Sequence, residues 1–206
     1  MSKALTQLES DMTVIARTTD DATFNFNKMR DELIEVGKDF GRGWESVSQV
    51  ATEWTKAGYN VADTLELVRT SLLALNVADM TVQQATSGLI AIMSQWDLQA
   101  QDLELVIDKL NITSDRYAIT TGDLVEGILR SSGAARAANI EFDELVGMIT
   151  ATRVASGRAG AEIGNAMNTI LSYITRQSTL NKLAKSGIAT FADEARTKLR
   201  PAVDIM

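Results

Sequence analysis

The sequence predicts a mainly α fold. Its 206 residues contain one proline, Pro201, so long helices can form without the interruption that proline imposes. Aromatic residues make up only 5% of the chain, fewer than the strands of a sandwich or barrel normally use. Apolar residues recur at steps of three and four, the spacing that gathers them on one helix face. These features predict a bundle of about seven short helices preceded by one long helix.

The long helix is predicted over residues 1–43, which carry a heptad pattern and form the first predicted domain. An apolar seam held at alternating steps of three and four residues is typical of a coiled coil. The same spacing also serves helices that pack within one chain, so both arrangements stay open. Pairing of copies through Leu5–Phe40 is the predicted route to a homo-oligomer. The seam consists of Leu5, Leu8, Met12, Ile15, Thr19, Ala22, Phe26, Met29, Leu33, Val36 and Phe40.

Residues 44–178 form the predicted helical core, because helix start signals recur through them. Asn60 is expected to cap one helix, Thr81 and Gln84 fit a capping box, and Thr120 precedes Asp123 by three residues. A helix break is expected around residues 111–114. Helices are expected to end near Gly58, Asn139 and Gly157.

The middle of this core, Gly122–Arg176, carries three apolar stripes separated by turns of small residues. The third stripe is predicted to pack inside the bundle. It consists of Ile163, Met167, Ile170, Leu171 and Ile174.

A glycine motif runs from Gly157 to Gly164 and superficially resembles a phosphate-binding loop. It lacks the Gly-Lys-Ser/Thr ending of a nucleotide-binding P-loop, and a helical segment precedes it instead of a strand. We therefore interpret it as a turn followed by a glycine-lined helix face that lets two helices approach closely.

Residues 179–206 form a third, small basic segment. Ile188–Phe191 could pair with Thr197–Leu199 in a short β-hairpin. Pro201 suits the first turn of a helix that has only begun when the sequence stops, so we expect the chain to be a fragment. The basic residues are expected to be solvated, with a contact to an acidic partner or nucleic acid as the alternative. They are Arg176, Lys182, Lys185, Arg196, Lys198 and Arg200.

The composition excludes most of the common types of catalytic site. Cysteine and histidine are absent, which excludes disulfides, thiolate nucleophiles, imidazole bases and Cys- or His-ligated zinc. Carboxylates at helix starts are expected to stabilise the helix dipole instead of forming a catalytic pair. We predict no catalytic, cofactor-binding or metal-binding residues, no cofactor and no enzymatic activity. The carboxylate groups are Asp102/Glu104, Glu141/Asp143/Glu144 and Asp193/Glu194; the tryptophans predicted in the core or an interface are Trp44, Trp54 and Trp96.

The net charge of −7 argues against specific nucleic-acid binding. Residues 1–109 carry an excess of acids, whereas residues 110–206 are nearly balanced. No signal peptide is visible, and the longest apolar runs fall short of the ~20 residues that span a bilayer.

Residues 47–206 contain four groups of short motifs in a set order. The first is Ala57-Gly-Tyr-Asn-Val-Ala-Asp-Thr with Leu72-Leu-Ala-Leu and Met80-Thr-Val-Gln-Gln-Ala; the second is Val106-Ile-Asp-Lys-Leu-Asn with Thr121-Gly-Asp-Leu and Ser132-Gly-Ala-Ala; the third is Gly157–Gly164 leading into Ile170-Leu; the fourth is Gly187-Ile-Ala-Thr-Phe with Leu199-Arg-Pro-Ala-Val-Asp-Ile. In order and spacing, this segment resembles the core region of phage tail tape measure proteins.

The resemblance implies a structural role in a bacteriophage or prophage. Such proteins assemble in the host cytoplasm, occupy the tail lumen, template tube assembly, set tail length and leave ahead of the DNA. Their partners would be tail tube and tail tip or baseplate proteins, with membrane contact only after ejection, if at all. Multi-copy helical assembly in this family agrees with the heptads. The chain is too short to measure a tail, since 206 helical residues reach only ~300 Å.

Two alternatives stay open beside the tape measure interpretation. One is a cell-wall hydrolase module of a tail protein, which the absence of histidine and of a carboxylate cleft motif disfavours. The other is a helical adaptor with no enzymatic role.

Overall fold

The computed structural model is mainly α-helical and describes residues 3–19, 24–78, 80–192, 199–201 and 204. Within these ranges it contains ten α-helices and no strand, which confirms the predicted fold class. A 3₁₀ helix, Ala100–Asp102, precedes α6. The helices are α1 Lys3–Thr18, α2 Phe26–Asp39, α3 Trp44–Lys56, α4 Val61–Val77, α5 Val82–Trp96, α6 Leu103–Arg116, α7 Thr121–Ala137, α8 Phe142–Ser156, α9 Gly160–Ile174 and α10 Gln177–Lys185.

The prediction of a single long N-terminal helix is wrong, because the segment forms two helices. Helix α1 ends at Thr18, and α2 begins after Asn25, whose side-chain oxygen accepts a hydrogen bond from the Lys28 amide at 3.0 Å. Asparagine competes for backbone hydrogen bonds and so favours a helix start over a helix interior. The sequence Thr18-Thr-Asp-Asp has weak helix propensity throughout, which explains why heptad spacing alone does not join the two helices. Ala22 of the seam lies outside the described residues.

The helices divide into two compact units. Unit 1 comprises Met1–Met93 and Leu98–Asn111, and unit 2 comprises Ser94–Asp97 and Ile112–Met206. In unit 1, α3 packs against α1, α2 and α4. Five seam residues face this packing and are at most 1% exposed: Met12, Ile15, Met29, Leu33 and Val36. The heptads therefore build the core of one chain, and these side chains are not available to pair it with a second copy.

Trp54 lies at the centre of unit 1. Its side chain is fully buried, and its indole N–H donates a hydrogen bond to Ser71 Oγ at 2.9 Å. The ring meets Tyr59 edge to face, with ring centroids 5.2 Å apart. A buried tryptophan needs such a partner for its one polar group. Its position confirms the prediction that Trp54 fills the core.

The predicted helix caps are confirmed. The side chains of Asn60 and Thr120 accept hydrogen bonds from the amides three residues later, and Thr81 and Gln84 bond reciprocally as a capping box. Asn139, after α7, has a positive φ of 55°, and Gly157, after α8, one of 68°. These ends are set by local residue chemistry, which is why the sequence reveals them.

Two other predictions are corrected. The break expected at residues 111–114 does not occur, since α6 continues to Arg116. Neither glycine nor proline interrupts this stretch, and the Asn, Thr and Ser in it lower helix propensity without ending a helix. Of the predicted C-terminal hairpin, the described residues show an antiparallel bridge between Phe191 and Leu199 and no regular strand. Residues 193–198, which include Thr197 and Lys198 of the predicted second strand, lie outside the described part of the chain.

Candidate interaction surface

Helices α7 and α9 of unit 2 touch backbone to backbone through glycine. A Cβ added to Gly164 would lie 2.5 Å from the Gly127 carbonyl oxygen and 2.9 Å from Arg130 Cβ. A Cβ on Gly160 would overlap the backbone of Asp123. Real Cβ atoms do not approach backbone this closely, so neither glycine can carry a side chain without moving a helix. The predicted glycine-lined helix face is confirmed.

Asp123 fastens the turn between α8 and α9 to the start of α7. Its Oδ1 accepts a hydrogen bond from the Gly160 amide at 2.7 Å, and its Oδ2 lies 3.4 Å from Arg153 Nη2. Arg153 Nη1 also donates to the carbonyl oxygens of Gly157 and Arg158, both at 2.6 Å. Both charged side chains are about three-quarters buried, at 20% and 24% exposure. Together with the glycine contact, this network fixes where α9 begins and which face it turns to α7.

Helix α9 therefore has two distinct faces. Gly160, Ile163, Gly164, Met167 and Leu171 are buried on one. On the other, Ala166, Ile170 and Tyr173 follow one another at helical spacing and are exposed, Ile170 by 48% and Tyr173 by 52%. The Arg176 guanidinium lies over the Tyr173 ring, 5.4 Å from its centroid. These four outward residues, Ala166, Ile170, Tyr173 and Arg176, are called the α9 stripe below.

The exposure of Ile170 corrects the sequence interpretation. The sequence places it in the packed third stripe, because it follows Met167 by three residues and precedes Ile174 by four. The glycine contact draws the Gly164 face onto α7, and this leaves Ile170 on the solvent side. The available signal was the glycine spacing: Gly160 and Gly164 mark the packed face, and Leu171 continues it whereas Ile170 does not.

The α9 stripe lies in a locally basic part of the sequence, and the acid nearest to it in α9, Glu162, four residues before Ala166, pairs with Arg158 at 3.3 Å. Residues 163–192 contain no aspartate or glutamate, and their three cations, Arg176, Lys182 and Lys185, are all exposed. Helix α10, which carries the two lysines, packs against α9. Of the other basic residues predicted for this end of the chain, Arg200 bonds the Ala189 carbonyl oxygen. Arg196 and Lys198 lie outside the described residues.

The carboxylate groups act as helix caps where the structure describes them in full. Asp102 accepts a hydrogen bond from the Gln99 amide at 2.9 Å, and Glu144 accepts one from the Glu141 amide at 3.0 Å. Each completes a capping box. Glu104 and Asp143 lie in the first turns of α6 and α8, where a negative charge favours the helix dipole. Asp193 and Glu194 lie outside the described residues.

The two remaining tryptophans each use their indole N–H within their own unit. In unit 2, Trp96 donates to the Ile140 carbonyl oxygen at 3.2 Å and meets the Phe142 ring edge to face. In unit 1, Trp44 donates to Asp11 Oδ2 at 3.0 Å. Both side chains are partly buried and therefore contribute to packing.

An open polar groove of about 640 Å³ lies between α1 and α3 in unit 1. Asp11 lies in it and accepts hydrogen bonds from Gln7 Nε2 at 2.7 Å and Ser48 Oγ at 2.9 Å, besides that from Trp44. The carboxylate is thus used to join α1 to α3. Across the described ranges, no group of three acidic side chains is placed to hold a metal ion. In the same ranges, no helix combines the length and hydropathy needed to cross a bilayer.

Comparison with known protein families assigns the chain. The family model described as "Phage-related minor tail protein" matches residues 30–206. The chain belongs to this family. Membership makes it a structural component of a phage tail, and the matched region includes the α7–α9 contact and the α9 stripe of this minor tail protein. A comparison with solved structures finds no match.

Proposed function

We propose that the chain is part of a tape measure protein, which templates assembly of the tail tube and sets its length. The observation that carries the proposal is the family match over residues 30–206, combined with the ordered motifs between Ala57 and Ile205. In this role the protein assembles in the host cytoplasm, occupies the lumen of the virion tail and leaves the tube ahead of the DNA. The division of the chain at 43/44 and 178/179 stays a prediction within this proposal.

The architecture supports a role in assembly. The carboxylates that sequence reasoning singled out serve as caps, and the buried tryptophan and the glycine contact serve packing. Unit 2 also exposes the α9 stripe, an apolar and cationic helix face that a partner could contact. Tail tube and tail tip or baseplate proteins are the proposed partners. If several copies assemble, they meet through surfaces other than the buried heptad seam.

Tail length in the phage that encodes this chain tests the proposal. An in-frame deletion of the codons for residues 30–206 removes the whole family-matched region. We expect particles with shortened tails or with none, because a template that loses a segment supports a shorter tube or no tube. Electron micrographs of purified particles give the length distribution directly.

A matched control separates the loss of this segment from general damage to the gene. The same phage with Leu105→Ser in the intact protein keeps its residue count and changes only one exposed side chain, so its tails should match wild type. Deletion particles with tails of wild-type length would contradict the role in setting tail length.

A further inference from the structure

We propose that the α9 stripe binds an acidic amphipathic helix of a partner protein. The inference rests on the proposed function in one respect: the partner that supplies this helix would be another tail component. Three features of unit 2 carry it: the apolar side chains that α9 leaves exposed, the excess of cations over acids between Arg158 and Ala192, and the lack of lysine and arginine on the exposed polar face of α9.

The apolar part of the stripe has the geometry of a helix-docking face. Ala166, Ile170 and Tyr173 extend over two helical turns, about 10 Å along the axis. Helices that bind other helices present anchors at this i, i+4, i+7 spacing. Tyr173 is held against the Arg176 guanidinium, and tyrosine and arginine are among the residues that contribute most to binding energy in interfaces. The stripe therefore offers a short row of ordered anchors.

The charges around the stripe indicate that the partner helix carries negative charge. The chain as a whole has 27 acids against 20 Lys and Arg, yet residues 163–192 contain no acid and three exposed cations. A partner helix with glutamate or aspartate beside its apolar face would be attracted to Arg176, Lys182 and Lys185. A basic partner would meet like charges, which disfavour association. The charge complementarity thus favours an acidic helix.

Other acidic macromolecules fit the surface less well. The exposed polar residues of α9 include the uncharged Asn165, Asn168 and Thr169, and the charged one among them, Glu162, is acidic. A helix that lies on an anionic membrane instead has a polar face rich in lysine and arginine. A nucleic-acid site needs a concentrated basic patch, whereas here three cations are spread over ten residues of a chain with net charge −7. A protein helix needs only a few cations at the edge of an apolar contact.

Fluorescence polarisation with the full chain and a labelled designed peptide tests the proposal. The peptide is an amphipathic helix of about 20 residues, with leucines at i, i+3, i+4 and i+7 and glutamates on the other face. We expect Ile170→Asp and Arg176→Glu each to weaken binding about tenfold or more. Both residues are exposed, so neither change disturbs the core, and circular dichroism checks that the fold is retained.

Matched controls use exposed residues elsewhere. Leu105→Asp on α6 and Lys28→Glu on α2 make the same kinds of change outside the stripe and should leave the peptide affinity unchanged. The same peptide with lysine in place of glutamate should not bind. Phosphatidylglycerol vesicles and single-stranded DNA should not displace the acidic peptide.

Several results would overturn the proposal. They are a failure of the acidic peptide to bind, equal binding of the lysine peptide, displacement by vesicles or DNA, and unchanged affinity in both Ile170→Asp and Arg176→Glu. Tail length is measured separately by the deletion described above. A negative binding result therefore refutes the docking site and leaves the proposed tape measure role standing on its own test.

Discussion

Single glycines determine how closely α7 and α9 pack. At Gly164 the nearest atom to an added Cβ is the Gly127 carbonyl oxygen, 2.5 Å away, which belongs to the backbone and cannot rotate away as a side chain can. Gly147 in α8 differs, because a Cβ built there meets no atom within 4 Å. Gly164 therefore cannot be replaced without moving a helix, whereas Gly147 has room for a side chain. The sequence alone does not distinguish the two positions.

Gly164→Ala is expected to lower the free energy of unfolding by ~1–3 kcal/mol, the usual cost of overpacking a tight contact. The matched change Gly147→Ala adds the same methyl group in open space. It is expected to raise stability by about 0.5–1 kcal/mol, because alanine loses less conformational freedom in a helix. Urea unfolding followed by circular dichroism measures both. Equal effects of the two substitutions would contradict the close α7–α9 contact.

At the scale of elements, the turn between α8 and α9 is held by charge-assisted hydrogen bonds instead of by apolar packing. Arg153 bonds two carbonyl oxygens of the turn and lies beside Asp123, which in turn accepts from the first amide of α9. The exposed pair Arg158–Glu162 lies close by in sequence, with side chains 68% and 60% exposed. Burial should make the first pair contribute more than the second, since water screens exposed charges.

A double-mutant cycle on Asp123→Ala and Arg153→Ala is expected to give a coupling free energy of about 1 kcal/mol or more, because both groups are largely buried. The same cycle on Arg158→Ala and Glu162→Ala is expected to give only about 0.3–0.5 kcal/mol. Chemical denaturation of the single and double variants supplies both values. A first coupling no larger than the second would show that the network does not hold the turn.

At the scale of the whole molecule, the N-terminal heptads pack against other helices of their own chain. In unit 1, Ile15 is fully buried against its own chain, whereas Val14, one residue earlier on α1, is 38% exposed. A core position and a surface position therefore lie side by side. An interchain coiled coil would leave a folded monomer when its seam is broken, and an intrachain core would not.

Ile15→Asp is expected to unfold unit 1 at every protein concentration, since it places an unpaired charge in the core. Val14→Asp should be tolerated. Limited proteolysis reports the loss of structure, and sedimentation reports the molecular mass. If the Ile15→Asp chain stays folded and its molecular mass falls relative to wild type, the heptads pair between chains and the intrachain core is refuted.

Local chemistry explains what could be predicted. The caps at Asn60, Thr81 and Thr120 depend on hydrogen bonds that close within three residues, so the sequence contains all the information they need. The glycine-lined face was also predictable, because two glycines four residues apart on a helix favour a close neighbour. The Asp123–Arg153 contact was not, since it joins residues 30 positions apart and no periodicity links them.

The sequence by itself determined the mainly α class, the helix caps and the absence of cysteine and histidine chemistry. It also showed the resemblance to phage tail proteins, which the family match established at the level of minor tail proteins. Only the tertiary structure decided which element covers each apolar face. In the structure, residues of the heptad seam are buried in the core of unit 1, whereas Ile170 and Tyr173 lie on the surface of unit 2. The physical reason is that periodicity gathers apolar side chains on one face, whereas burial depends on what packs there.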